Sequence, residues 1–238
     1  MQVLSLQDFT SMRWKNGLGT TVQFIIEPSS CTMNDPFTFR ISSAIMTTSG
    51  PFSQFSGYSR ILFIMGAADG EGHALPSSSV RVVLTHHGTD RVELKWMEPY
   101  EFSGSVETVC ELVEPCEMME TVSDFNVMVR EDRAECQLCC CETITHETVL
   151  NLGQLRNEKS GGKRLIKNAP IRDVYSLLVY VTGGSIEVSS SGNNTTTNTT
   201  IDSGKMMRMD VKNLNELNGV NIKGEGECIL VLIGSNLL

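Results

Sequence analysis

A chain of 238 residues is long enough to bury a substantial core, as one large β domain or as two small ones. Its 19 basic and 28 acidic residues leave a formal net charge of −9. That is the wrong sign for a surface that draws phosphate backbones or anionic lipids, so neither nucleic acid nor membrane is an expected partner. No stretch reaches the roughly 18 apolar residues of a membrane span. Residues 1–8 show no charged leader followed by an apolar run, so a soluble, cytoplasmic protein is expected.

The first string that departs from a plain core pattern is Met12-Arg13-Trp14-Lys15-Asn16-Gly17. If it is extended, Trp14 and Asn16 share one face while Arg13 and Lys15 share the other. Strand-type runs follow at residues 21–26, 37–42, 80–84 and 91–96. They are separated by turn-forming clusters such as Asn34-Asp35-Pro36, Ser49-Gly50-Pro51 and His87-Gly88-Thr89-Asp90. A second polar string, Asp124-Phe125-Asn126-Val127-Met128, sets Asp124, Asn126 and Met128 on one face of an extended segment. The rhythm resumes at residues 135–141, 175–181 and 227–233. This spacing predicts an all-β fold, an antiparallel sandwich or barrel.

Strand, glycine turn, strand and a later glycine turn occur in both halves, which argues for an internal duplication: a first barrel over 1–130 and a second over 131–238. Residues 189–200, rich in Ser, Thr and Asn, are expected to form a mobile hairpin excursion, and 154–167 another surface loop. One short helical turn is placed within 211–219.

Eight cysteines include the run Cys139-Cys140-Cys141, and the one Cys-x-x-Cys pair, Cys136 with Cys139, has no second pair at zinc-site spacing, so buried reduced thiols are expected. The four histidines include the adjacent pair His86 and His87, which in a strand would face opposite ways. No interior histidine metal site and no cofactor are therefore expected. No nucleophile elbow and no phosphate-binding glycine loop occurs.

The strings at 12–17 and 124–128, with Phe39-Arg40-Ile41-Ser42, Gly50-Pro51-Phe52-Ser53 and Gly57-Tyr58-Ser59-Arg60 between them, resemble the signatures of the HutD/Ves family in order and spacing. The resemblance covers residues 8–130; it departs at Leu18, where the family continues a glycine run, and at Glu131, where a second arginine often follows. It implies a double cupin-like, or bicupin, β fold of the RmlC-like kind. It also implies a metabolite sensor or binder linked to histidine utilisation, or to stress response in the Ves members.

The cationic and amide residues of the motifs are Arg13, Lys15, Asn16, Arg40, Arg60, Asn126 and Arg130. Arginine offers a planar donor fork to carboxylates, and asparagine both donates and accepts. The expected ligand-binding set is Trp14, Lys15, Asn16, Arg40, Arg60, Asp124 and Asn126, around a small carboxylate or amide such as formylglutamate, formiminoglutamate or urocanate. A different reading makes the chain a cupin-type isomerase or hydrolase with Asp124 or Glu101 as general base. A third makes it a protein-interaction module acting through its exposed loops. The alternative for Arg40 and Arg60 is structural pairing with acids such as Asp124 or Glu101. A homo-oligomer is left open.

Overall fold

The computed structural model describes residues 1–14, 19–69, 81–113, 119–146, 149–155, 164–167, 172–192 and 195–236. The chain is all-β, as the alternating pattern predicts. It divides into two units, Phe9–Asp132 and a second made of Met1–Asp8 with Arg133–Leu238. The first strand, β1 (Gln2–Leu4), belongs to the second unit rather than to the barrel expected to begin at residue 1.

The first unit contains β2 (Thr10–Arg13), β3 (Gly19–Glu27), β4 (Phe39–Met46), β5 (Gly50–Pro51), β6 (Tyr58–Asp69), β7 (Arg81–His86), β8 (Asp90–Leu94), β9 (Tyr100–Ser103), β10 (Thr108–Val113) and β11 (Met119–Arg130). A six-stranded sheet runs β2-β3-β4-β11-β6-β9, and a four-stranded sheet runs β5-β10-β7-β8. Between them lies a core of Met46, Leu62, Ile64, Val82, Leu84, Leu94, Phe102, Cys110 and Val122, with Trp14 and Phe52 packed at its margin. A smaller cluster of Ile26, Phe37, Tyr58 and Met128 lies on the same face of the larger sheet. Because side chains alternate along a strand, the opposite face of that sheet carries Phe39, Ile41, Ile61, Phe63, Phe125 and Val127, all buried.

The second unit holds β12 (Ala134–Ile144), β13 (Leu150–Asn151), a helical turn α1 (Leu152–Leu155), β14 (Arg164–Ile166), β15 (Val174–Gly192), β16 (Thr195–Asp202), β17 (Met206–Val211) and β18 (Val220–Ser235). Its sheet runs β1-β17-β15-β18-β12-β14, with β13 on β18 and β16 on β15. Gln2, Val3 and Leu4 pair with Arg208, Met207 and Met206, and this ladder makes the N-terminal strand part of the second unit's sheet. The core includes Leu177, Val179, Val181, Cys140 and Cys228. Cys139, Cys140 and Cys141 are all buried, and burial pushes the thiols of Cys140 and Cys228 up.

The low-complexity stretch is a hairpin, and its described residues are strand-paired throughout: Ser189, Ser190, Ser191 and Gly192 of β15 face Asn198, Thr197, Thr196 and Thr195 of β16. β-Branched threonine suits an extended, half-solvated backbone, so polar composition here does not prevent pairing. The short turn expected near 211–219 is a 3₁₀ helix, Leu214–Gly219, started by an Asn213 capping box with Glu216. Of the expected loop over 154–167, Arg164–Ile166 pairs with β12, while 156–163 lie outside the described residues. Among the described residues no helix is long and apolar enough to cross a membrane.

Candidate functional site

Strand register assembles the site. Across β4, β11 and β6 the face that looks toward the smaller sheet presents three successive rungs. They are Arg40–Met128–Arg60, then Ser42–Asn126–Leu62, then Ala44–Asp124–Ile64. β3 extends the last two rungs with Gln23 and Thr21. Two strands that are far apart in sequence thus bring the arginines of two different motifs to either side of Met128. A cavity of about 490 Å³ opens on this lattice, lined by Arg40, Ser42, Arg60, Asp124, Asn126 and Met128 from the sheet. Arg13 lines it from the end of β2, and Trp14, Phe52, Ser53 and Phe55 from the connecting segments.

Two irregularities shape the floor. β6 has one extra residue, Met65, where Ser123 pairs with Gly66 and Asp124 with Ile64. β3 has another, Phe24, between Gln23 and Ile25. Such bulges bend a strand and re-aim its neighbours. Gln23, just before the second bulge, accepts the Nε–H of Arg40 through Oε1 at 2.8 Å, and Ser42 Oγ accepts from Nη1 at 3.1 Å. Both contacts lean the Arg40 guanidinium toward the middle rung.

Arg60 is held differently. Its guanidinium lies between the rings of Phe52 and Phe102, at 4.9 and 5.1 Å from their centroids, and Nη1 donates to the Ser53 carbonyl at 3.3 Å. Cation–π contact orients the fork without consuming its N–H groups. Among the described residues the buried Nε–H of Arg60 has no acceptor, and the buried Oδ1 of Asn126 has no donor.

Asp124 accepts the backbone N–H of Ala44 through Oδ1 at 2.8 Å. Among the described residues neither Arg40 nor Arg60 forms an ion pair with it. The four polar residues Arg40, Arg60, Asp124 and Asn126 are only 4%, 6%, 2% and 8% exposed. Burial, opposed by the Ala44 N–H and by both arginines, raises the Asp124 carboxyl to about 7. Burial also lowers both guanidinium groups to about 10, Arg40 further depressed by Arg60. The site therefore offers two fixed donor forks, an amide acceptor and a carboxyl that changes charge near neutrality.

Trp14 lies against the cavity with its indole N–H donating to Thr21 Oγ1 at 2.7 Å and its backbone N–H to the Gly19 carbonyl at 2.9 Å. A Cβ on Gly19 would come within 3.0 Å of the indole and 2.6 Å of the Ile45 carbonyl, so the ring can lie there only over a glycine. Arg13 and Trp14 both line the cavity because β2 ends at Arg13 and alternation stops with it. Lys15 and Asn16 lie outside the described residues.

Glu101 is not part of this wall. It pairs across the sheet with Ile61, on the face opposite Arg60 and Phe102, and accepts from Ser59 Oγ at 2.7 Å. Arg130 likewise turns away, to an ion pair with Asp132 at 2.8 Å. Gln23, Ser42 and Phe102 were not foreseen as site residues. Phe52, Ser53 and Ser42 stood within the quoted motifs, whereas Gln23 and Phe102 reach the arginines only through strand pairing.

His86 ends β7 and is buried, while His87 adopts a positive φ of 51° in the turn that follows and is exposed. The ring nitrogens of His86 contact Thr108 Oγ1 at 2.9 Å and the Tyr100 hydroxyl at 3.1 Å. Among the described residues no three His, Cys, Asp or Glu side chains converge as a metal set would require.

Residues 6–155 match the model of the HutD family. An uncharacterised protein encoded in the hutC 3′ region of Pseudomonas putida is 30% identical over 138 residues, which is 58% of this chain and 63% of that one, so the match spans less than two thirds of this relative. Among solved structures, a conserved protein of unknown function from Pseudomonas aeruginosa superposes with a TM-score of 0.64 at 17% identity, covering 99% of this chain and 98% of the other. HutD from Pseudomonas fluorescens gives 0.60 at 18% identity over 98% of each chain. An oxalate decarboxylase variant from Bacillus subtilis gives 0.51 at 6%, covering 98% of this chain and 77% of that one. At such identities the likeness speaks to the fold, a cupin-like β-sandwich. With the family model matched over most of its length, the chain belongs to the HutD family.

Proposed function

We propose that the chain binds a small carboxylate metabolite, of the kind that occurs in histidine breakdown, between Arg40 and Arg60, and that binding rather than turnover is its role. The observation that carries this reading is two buried guanidinium groups with, among the described residues, no carboxylate in ion-pair contact. Three other arginines pair closely with acids: Arg81 with Glu93 at 2.6 Å, Arg91 with Glu111 at 2.8 Å and Arg164 with Glu142 at 2.6 Å. Removing a cation from water without a partner is strongly unfavourable, so an anion supplied from outside the chain accounts for the arrangement. A planar fork suits a carboxylate in particular. The hutC-region relative and the HutD structure, solved in a formate condition, support a histidine-utilisation setting for a sensing or regulatory protein.

Thermal unfolding of the purified chain with formate, formylglutamate, formiminoglutamate, urocanate, histidine and glutamate tests the reading. A ligand at about a hundredfold its Kd adds roughly 2.7 kcal/mol, a rise of several degrees in Tm for a chain of this size. The rise is expected to vanish in Arg40→Gln and Arg60→Gln. If no carboxylate in the panel raises Tm, the reading fails.

One observation favours a catalytic alternative. Asp124, near 7, faces the cavity with one oxygen free of hydrogen bonds among the described residues, which is the condition of a general base at neutral pH. Turnover of a bound carboxylate, abolished by Asp124→Asn while binding persists, would establish it.

A further inference from the structure

The polar groups of the cavity are sorted by sign along β11. At one end Arg40 spends two of its N–H groups on Gln23 and Ser42, and Arg60 spends one on Ser53. A guanidinium has five such donors, so among the described residues most of these meet no acceptor. At the other end the acceptor is Asp124, which among the described residues receives only the Ala44 N–H; Asn126, on the Ser42 rung between, has a buried Oδ1 without a donor and an amide NH2 group as well. Donors in excess at one end and acceptors in excess at the other would neutralise each other if they met. The register keeps them apart, because Asp124 stands two rungs from the Arg40–Met128–Arg60 rung. With the Arg40 guanidinium drawn to the level of Ser42, the remaining gap is roughly 7 Å at the rise of a strand.

We infer that the ligand is dipolar: a carboxylate held by Arg40 and Arg60 and, on the Asp124 side of the cavity, a nitrogen bearing at least two hydrogens, an amine or amidine, that donates to the Asp124 carboxylate. This rests on the carboxylate-binding reading above and narrows its ligand to a class. A plain monocarboxylate fills only the cationic end and leaves the second Asp124 oxygen unmatched. A dicarboxylate brings a second anion to the acceptor end, where it meets Asp124. A zwitterion matches both ends at once, and the apolar walls from Met12, Trp14 and Phe52 suit a short aliphatic linker between its charges.

Titration calorimetry of the full chain at pH 8 with butyrate, 4-aminobutyrate, 4-guanidinobutyrate and glutarate tests this. Either nitrogen-bearing carboxylate is expected to bind at least tenfold more tightly than butyrate, and glutarate more weakly than both. In Asp124→Asn the ratio of 4-aminobutyrate to butyrate affinity should collapse toward one. Should that variant not fold, the wild-type ratio should itself fall toward one between pH 8 and pH 5 as Asp124, raised to about 7, takes up a proton. Butyrate or glutarate binding as well as 4-aminobutyrate, or a ratio indifferent to the substitution and to pH, would overturn the dipolar ligand while leaving carboxylate binding intact. Failure of all four compounds, with a carboxylate of the thermal-unfolding panel still raising Tm, would likewise overturn the dipolar ligand alone.

Discussion

The two faces of β11 are both buried but differ in chemistry. Phe125, Val127 and Val129 on one side are buried among apolar residues of the neighbouring strands, including Phe63, Ile41 and Ile61. Asp124, Asn126 and Met128 on the other are equally buried, yet two of the three are polar and incompletely matched. Alternation along a strand lets one segment serve both ends, holding the sheet with its odd residues and equipping a cavity with its even ones. The contrast teaches that burial alone does not mark core, because the polar face sacrifices stability that the apolar face supplies.

Breaking the apolar face should have the largest effect on folding. Phe125→Ala removes a fully buried ring beside Phe24 and Phe63. The expected loss is about 3–5 kcal/mol, measurable as an earlier midpoint in urea. Arg40→Met with Arg60→Met, on the polar face, should do the reverse. Replacing buried charges with apolar chains of similar volume is neutral or stabilising by up to about 4 kcal/mol, while carboxylate binding disappears. A large loss of stability in this double variant would mean that the arginines are structural.

The pH dependence sharpens the comparison further. Asp124 is raised in the folded state from 3.8 to about 7, so between those values the folded chain holds a proton that the unfolded chain has released. Its contribution to stability is therefore present at acid pH and falls as pH rises through about 7. Asp124→Asn should flatten this decline, so that the variant gains on the wild type from pH 5 to pH 8 in paired thermal scans. The smallest effect is expected outside both faces: Arg81→Ala removes an exposed pair with Glu93 and should leave the denaturation midpoint in place.

Much of the fold was legible because period-two patterning is local. Strands such as those over 21–26, 135–141, 175–181 and 227–233, the buried cysteine run and the short turn within 211–219 follow from neighbours in sequence. Arg40, Arg60, Asp124 and Asn126 were legible as polar residues in short motifs, and the structure brings these four to one cavity. What sequence could not supply was register. Gln23 meets Arg40 because β3 carries a bulge, and Phe102 stacks on Arg60 because β9 pairs with β6. The same parity sends Glu101 to the opposite face, although its position beside Phe102 was a clue. The pairing of β1 with β17 joins residues at opposite ends of the chain, which no local pattern announces. The hairpin at 189–200 was legible as a hairpin, but its polar composition concealed how fully it is paired.

The most direct test of the account is calorimetric titration of formate and of 4-aminobutyrate into the wild type and into Arg40→Gln/Arg60→Gln, with folding of each protein checked by thermal unfolding. The account predicts saturable heat from at least one carboxylate in the wild type and none in the folded double variant. Equal affinity in the two proteins would contradict it, because the buried guanidinium pair would then have no part in holding the anion.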